Sequence, residues 1–210
     1  MNEPYVLVLY ASKYGTTREL ALTVAEGVEQ AGVAVRVRTV PEVQVVTQVA
    51  APPIPPEGEL YCSAGDLRDC AGLALGSPTR FGNMAASLKF FLDQTTASWL
   101  AGDLQGKPAC VFASTGTQHG GQESTLLSMM IPLLHHGMLL MGLPYSLPQL
   151  SSTPRGGTPY GATRVTGVAH DQPLHPDERA LALAQGRRLA GLVQRLRRRW
   201  SLPSACARRA

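Results

Sequence analysis

The chain of 210 residues has no apolar run that approaches the ~20 residues of a membrane-spanning helix. Residues 1–4 also lack the basic segment that opens a signal peptide. We therefore expect a cytoplasmic protein that does not enter a membrane. The length suits one α/β domain with a sizeable core better than it suits two domains.

Cysteine is scarce, and its spacing excludes the common metal and redox motifs. The four cysteines are Cys62, Cys70, Cys110 and Cys206. None is separated from another by only two residues, so we expect reduced thiols in an intracellular protein. His135 and His136 are adjacent on a predicted helix, so their side chains diverge and do not readily share a metal ion. The sequence predicts no metal site.

The excess of positive over negative charge is also confined to one part of the chain. The formal net charge is +4, but several basic residues lie between Arg187 and Arg209. The run from Arg195 to Arg199 is compatible with binding to nucleic acid or acidic lipid. A solvated helix end that complements the helix dipole is the favoured interpretation, so nucleic acid is not an expected partner. Residues 200–210 are interpreted as a basic, disordered tail.

Apolar strands alternate with amphipathic helices along the chain. Residues 6–9 are apolar throughout, which is typical of a central strand buried on both faces. Residues 34–39 alternate and predict a more exposed strand. Further strands are predicted at 71–75, 107–114 and 138–143. The pattern predicts an α/β domain over residues 1–199, with a doubly wound, five-stranded parallel sheet and helices on both faces.

Two stretches interrupt this alternation. Residues 41–65 contain four closely spaced prolines, which exclude regular structure. We interpret them as a surface loop or oligomer contact, with a polyproline ligand for a partner as the alternative. Residues 146–171 are rich in Gly, Pro and Thr and are also predicted to form a loop.

Two helices carry more specific expectations. Asp66 is expected to cap a short helix. A helix that begins near Gln122 is expected to bury four side chains on one face: Leu126, Leu127, Met130 and Leu134.

Loops rich in hydroxyl groups and glycine follow three of the predicted strands, at residues 12–17, 78–83 and 114–121. In an open parallel α/β sheet, such loops converge on one crevice, where ligands bind. The first loop opens a helix, so its hydroxyls and backbone amides suit an anion. Neither Gly-Lys-Ser/Thr nor Gly-x-Gly-x-x-Gly is present, so a single phosphate fits better than ATP or NAD. A plain strand-to-helix turn is the alternative for this loop taken alone.

Seven stretches in order resemble the flavodoxin-like NAD(P)H:quinone oxidoreductases of the WrbA type (tryptophan-repressor-binding protein A). The resemblance runs from about Val6 to about Arg198. The matching stretches are residues 12–15, 78–84, 91–95, 114–117, 120–123, 135–138 and 155–163.

The resemblance implies one non-covalently bound FMN per chain, with NADH or NADPH as co-substrate. The phosphate is expected on the first loop, the isoalloxazine ring on the second, and the ribityl chain and ring edge on the third. The implied cofactor-binding residues are Ser12, Lys13, Tyr14, Gly15, Thr16, Thr17, Pro78, Thr79, Arg80, Phe81, Gly82, Asn83, Ser114, Thr115, Gly116, Thr117, Gln118 and His135.

The resemblance also implies catalytic and substrate-binding roles. Arg80 would stabilise the anionic reduced flavin, and His135 would lie over the flavin and bond a quinone oxygen. Tyr14 and Trp99 would stack on nicotinamide or quinone, with Trp99 supplied by a neighbouring subunit of a homotetramer. From the residues alone, Arg80 is equally an exposed loop charge, and Trp99 is equally an ordinary packed side chain.

The implied activity is the two-electron reduction of quinones to hydroquinones by NADH or NADPH, in a ping-pong reaction with hydride transfer through FMN N5. Two alternatives stay open: a one-electron flavodoxin-type carrier and a non-enzymatic interaction protein. The net basic charge argues against the carrier, because such carriers usually dock through acidic surfaces.

Overall fold

A computed structural model describes residues 3–43, 54–55 and 57–200, with side chains described as far as Arg197. Pro52, Pro53 and Pro56 of the proline-rich stretch lie outside the described residues. So does the predicted tail, apart from Trp200, which ends the last helix. No helix in the described ranges is long and apolar enough to cross a membrane.

Strands and helices alternate over most of the chain. The strands are β1 Tyr5–Tyr10, β2 Ala34–Thr39, β3 Gly72–Pro78, β4 Pro108–Thr115, β5 Leu139–Leu140 and β6 Thr163–Val165. The helices are α1 Thr16–Gln30, α2 Ala64–Asp69, α3 Ala86–Asp93, α4 Thr96–Ala101, α5 Gln122–His135, α6 Gln149–Ser152 and α7 Pro176–Trp200.

The strands form one parallel sheet in the order β2-β1-β3-β4-β5, which is the winding order of flavodoxin-like folds. Alternate residues of β1 pack into two hydrophobic cores, one on each face of the sheet. Leu7 and Leu9 pack with residues of α3 and α5 on one face, and Val6 and Val8 pack with residues of α1 and α7 on the other. The predicted doubly wound α/β sheet is confirmed.

The edge beside β4 differs in detail from the prediction. In the described ranges the sheet has six strands rather than five, because two short strands share this edge. β5 pairs with Pro108 and Ala109 at the start of β4, whereas β6 pairs with the end of β4, from Ala113 to Thr115. β6 lies inside the predicted loop 146–171. A strand of three residues among Gly, Pro and Thr carries too little periodicity to be predicted.

The buried face of α5 is also different from the predicted one. Leu126 is buried as expected, but its buried apolar neighbours are Met129 and Leu133. Leu127 and Leu134 are exposed together with Ile131, and Met130 is only partly buried. Both faces of this helix are apolar, so the sequence pattern alone did not identify the inner one. We call Leu127, Ile131 and Leu134 the α5 outer stripe.

The described part of residues 41–65 is anchored to the main body of the fold. Glu59 accepts hydrogen bonds from Arg18 at 2.8 and 2.7 Å and from the Tyr10 hydroxyl. Tyr61 forms a parallel bridge with Thr39 at the end of β2. This anchorage places the segment beside the start of α1.

Asp66 takes part in capping α2, as predicted, but as the third residue inside the helix and not as the N-cap. Ser63 is the N-cap: its hydroxyl accepts from the Asp66 N–H at 3.0 Å, and the Asp66 carboxylate accepts from the Ser63 N–H at 3.1 Å. Arg36 and Arg38 of β2 also donate to this carboxylate, each at 3.0 Å. Burial opposes ionisation, but the bonds from Arg38, Ser63 and Arg36 outweigh it and lower the pKa of Asp66 to about 2.

We expect Asp66→Asn to lower the free energy of unfolding by about 2–3 kcal/mol at pH 7, because two arginines lose a buried partner. Since the native pKa lies below the unfolded value of about 3.9, this contribution is present above that pH and is lost as the pH falls towards 2. Denaturant unfolding at pH 7 and near pH 2 measures both effects. Asp69→Asn, which removes an exposed pair with Arg68, is the control and should change little. Equal stability of Asp66→Asn and wild type at pH 7 would contradict the assignment.

Candidate functional site

The three predicted loops meet at the carboxyl edge of the sheet. The Thr17 and Ser114 hydroxyls lie 2.7 Å apart and join the first loop to the third. The Thr79 N–H donates to the Ser114 carbonyl at 2.8 Å, which joins the second loop to the third. Ser12, Pro78 and Arg80 border one cavity of about 210 Å³. The convergence predicted from the sequence is therefore observed.

The first loop leaves backbone donors free at the start of α1. Gly15 is the N-cap in the left-handed conformation, with φ of 78°. As a glycine it has no side chain that could accept a hydrogen bond from the first N–H groups of the helix. Within the described part of the chain, the N–H groups of Thr16 and Thr17 have no acceptor, whereas the Arg18 N–H makes a long 3.4 Å bond to Ser12 Oγ. A Cβ at Gly15 would have no atom within 4 Å. Free amides at a helix N-terminus next to open space suit a phosphate.

The second loop is a two-residue hairpin. Arg80 and Asn83 exchange backbone hydrogen bonds of 2.8 and 3.0 Å. Phe81 and Gly82 between them have positive φ values of 52° and 76°, as in a type I′ turn. A bulky residue rarely adopts a positive φ. In this turn the Phe81 ring is fully exposed. Strain of this kind is concentrated at ligand sites.

The third loop packs against the second. A Cβ at Gly121 would lie 2.9 Å from the Gly82 Cα, so glycine is required for this close approach. Thr125 Oγ1 donates to Thr79 Oγ1 at 3.1 Å. On its other side the third loop reaches residues 155–163, because Gln118 Nε2 donates to the Arg155 carbonyl at 2.7 Å.

Two residues that the sequence analysis missed border the first loop. Arg164 on β6 is buried and contacts the Thr16 carbonyl and Glu19. His170 stacks on Tyr14, with ring centroids 4.4 Å apart and an interplanar angle of 23°. Thr166 Oγ1 lies 3.1 Å from His170 Nδ1 and positions the ring. Both residues follow the matching stretch 155–163, and no local motif marks them.

His135 and Trp99 lie together, but away from these loops. Trp99 Nε1 donates to the His135 carbonyl at 2.8 Å, and both residues line a cavity of about 520 Å³ with Ile131 and His136. α5 begins after the third loop and spans 14 residues, so His135 lies about 20 Å away, at about 1.5 Å per residue. It is therefore beside the start of β4. One chain does not bring His135 or Trp99 to the carboxyl edge.

The surroundings of the neighbouring residue, His136, shift its pKa. Burial and the nearby His135 lower the pKa of His136, and the Thr95 hydroxyl lies 2.9 Å from His136 Nε2. His136 is therefore a structural, neutral histidine. His135 is exposed, and within the described part of the chain only its backbone carbonyl, not its ring, makes a side-chain hydrogen bond.

The residues present fit a flavin mononucleotide. Free amides and the Ser12 hydroxyl suit one phosphate, and the left-handed Gly15 leaves room for it. The strained hairpin presents the exposed Phe81 ring. Its neighbour Arg80 is an exposed cation, and among the described residues its guanidinium donates only to the Thr79 carbonyl of the same loop. The sheet order thus defines a flavodoxin-like fold, and the three loops at its carboxyl edge form the candidate ligand site.

Comparisons with known proteins give the particular family. The family described as NADPH-dependent FMN reductase matches residues 4–149. A protein of Solidesulfovibrio magneticus named NAD(P)H dehydrogenase (quinone) is 42% identical over 91% of this chain and 98% of its own length. A protein of the same name from Geotalea uraniireducens is 41% identical over 92% and 99%. This chain belongs to the NADPH-dependent FMN reductase family.

The structural comparison agrees with the fold. A crystal structure described as a flavodoxin, WrbA-like protein from Agrobacterium tumefaciens superposes with a TM-score of 0.66. It is 20% identical and covers 92% of this chain and 99% of its own. The resemblance predicted from the seven stretches is confirmed.

Proposed function

We propose that the protein reduces quinones to hydroquinones with NADH or NADPH and a bound FMN. The observation that carries this proposal is the set of free amides of α1 facing open space at the meeting point of three loops. Two relatives of similar length, more than 40% identical, carry the name NAD(P)H dehydrogenase (quinone).

In this proposal the loops divide the cofactor between them. Ser12, Gly15, Thr16 and Thr17 hold the phosphate. Residues 78–83 hold the isoalloxazine ring, and residues 114–118 hold the ribityl chain and the ring edge. When bound, FMN supplies the hydride chemistry at N5, so no side chain has to act as a strong base.

In this proposal the side chains around the ring site orient nicotinamide and stabilise the reduced flavin. Arg80, whose guanidinium has no acidic partner among the described residues, offers positive charge to the reduced flavin. Tyr14, supported from one side by His170, offers an aromatic surface to nicotinamide. Nicotinamide and quinone use the same surface in turn, which predicts ping-pong kinetics.

The complete site needs a second copy of the chain. We call residues 12–17, 78–83 and 114–121, which would hold the cofactor in this proposal, the flavin loops. His135 and Trp99 lie at the opposite edge from these loops, next to the exposed α5 outer stripe. Apolar side chains in a row on a helix surface indicate an interface. We therefore include in the proposal a homotetramer in which one chain supplies the flavin loops and a neighbour supplies His135 and Trp99.

Tyr14→Ala is expected to retain FMN within about threefold of the wild-type affinity, because the backbone donors of the phosphate loop remain. The second-order rate constant for flavin reduction by nicotinamide should fall about tenfold, the effect of losing one aromatic stacking contact. Anaerobic stopped-flow absorbance measures this rate. Unchanged reduction kinetics in Tyr14→Ala would show that Tyr14 does not stack on nicotinamide.

Loading the purified protein with flavin tests the proposal as a whole. Apo-protein should take up FMN and, without oxygen, oxidise about one NADH or NADPH per bound flavin, with continuous turnover only when benzoquinone is also present. Protein that remains colourless after incubation with FMN would refute the proposal.

A further inference from the structure

Arg164 is a buried cation placed directly behind the phosphate loop. Its side chain is 4% exposed. One guanidinium nitrogen, Nη1, donates to the Thr16 carbonyl at 3.2 Å and to the Glu19 carboxylate, and the other, Nη2, donates to the Gln172 carbonyl at 2.9 Å. Its Nε is buried and has no partner among the described residues.

The charge of Arg164 is only partly compensated by the protein. A guanidinium keeps its proton at any physiological pH, and a buried ion is costly unless an opposite charge lies close to it. Glu19 is the only acidic side chain that pairs with Arg164 in the described part of the chain, and it is 54% exposed. Water screens a carboxylate at that exposure. The site therefore retains positive potential that a second anion would relieve.

The contact between Arg164 and the Thr16 carbonyl directs this positive potential towards the first loop. In a trans peptide the C=O and N–H groups point in opposite directions, and the chain has no cis peptide among its described residues. The peptide whose carbonyl accepts from Arg164 is the one that carries the free Thr17 N–H. A cation on the carbonyl side polarises that peptide and strengthens its N–H as a donor.

We propose that Arg164 is a positioning residue that sets the affinity of the first loop for the phosphate of FMN. It acts through the Thr16–Thr17 peptide and by its charge, without contacting the cofactor. This inference rests on the proposed function, because it specifies how the proposed FMN site holds its phosphate.

Riboflavin tests this proposal, because it has the ring and ribityl chain of FMN without the phosphate. In Arg164→Met we expect the Kd for FMN to rise about 30-fold, because the first loop loses both a nearby positive charge and the polarisation of its Thr17 N–H, and the Kd for riboflavin to change less than about twofold. Fluorescence titration of apo-protein gives both constants. Arg164→Lys keeps the charge and should recover part of the FMN affinity.

A second experiment removes the countercharge, the exposed Glu19, and so does not require the substitution of a buried residue. Glu19→Gln leaves Arg164 without its carboxylate, so FMN should bind about threefold more tightly, with a larger gain at low salt. Glu26→Gln is the control, because Glu26 lies on the same helix, is similarly exposed and pairs with Arg179. It should leave the Kd for FMN unchanged.

The outcomes separate the two levels of the proposal. Equal weakening of FMN and riboflavin in Arg164→Met, or weaker FMN binding in Glu19→Gln, would overturn the role of Arg164 and leave the flavin site intact. If Arg164→Met does not fold, the Glu19→Gln titration decides. Failure of the wild-type chain to bind either flavin would instead overturn the proposed function.

Discussion

Replacing Gly15 by valine should raise the Kd for FMN at least about 100-fold, equivalent to about 2.8 kcal/mol. Gly15 has φ of 78°, which costs a non-glycine residue roughly 1–2 kcal/mol and a β-branched residue more. Relief of this strain would move the free N–H groups of Thr16 and Thr17. The side chain would also enter the open space that the phosphate needs.

Gly32 provides a matched control at the other end of α1. Its φ is 73°, and a Cβ there also has no atom within 4 Å. Gly32→Val should therefore lower the free energy of unfolding by a similar amount while leaving the Kd for FMN unchanged. Isothermal titration with FMN and denaturant unfolding of both variants separate ligand loss from strain. Equal FMN affinity in the two variants would show that the first loop is not the phosphate site.

Ile131→Asp should abolish self-association and lower kcat/KM for quinone about 100-fold. Ile131 is 58% exposed at the centre of the α5 outer stripe, and it lines the cavity of Trp99 and His135. A carboxylate buried at an apolar interface costs several kcal/mol. Separate chains would keep their phosphate loops but lose the neighbour that supplies His135 and Trp99, so FMN affinity should fall by less than about tenfold.

Leu22→Asp is the control for this variant, because Leu22 is an exposed apolar residue on α1. It should leave both the oligomeric state and the turnover unchanged. Light scattering after size exclusion gives the mass, and steady-state assays with benzoquinone give kcat/KM. A monomeric Ile131→Asp protein with wild-type turnover would show that one chain contains the whole active site.

The three loops at the carboxyl edge were predictable from the sequence because their signals are local. An apolar strand followed by hydroxyls, one glycine and a helix start defines the first loop within residues 6–17. The rule that such loops meet at one edge places residues 78–83 and 114–121 beside it. The contact between Thr17 and Ser114 confirms this step.

The remaining parts of the site depend on contacts between distant residues. Arg164 and Thr16 are far apart in sequence, and they meet only because β6 returns to the end of β4. The inner face of α5 could not be told from its outer face, because both are apolar. A resemblance names His135 and Trp99 as functional residues, but only the fold shows that their own chain does not bring them to the flavin loops.

A double-mixing stopped-flow experiment tests the central claim most directly. The FMN-loaded protein is mixed without oxygen with NADH or NADPH, and then with benzoquinone. We predict that at least one nicotinamide bleaches the flavin absorbance fully and that benzoquinone restores it in a single two-electron step. Absence of bleaching with both nicotinamides, or reoxidation that stops after one electron, would contradict a quinone reductase and favour a one-electron carrier or an interaction protein.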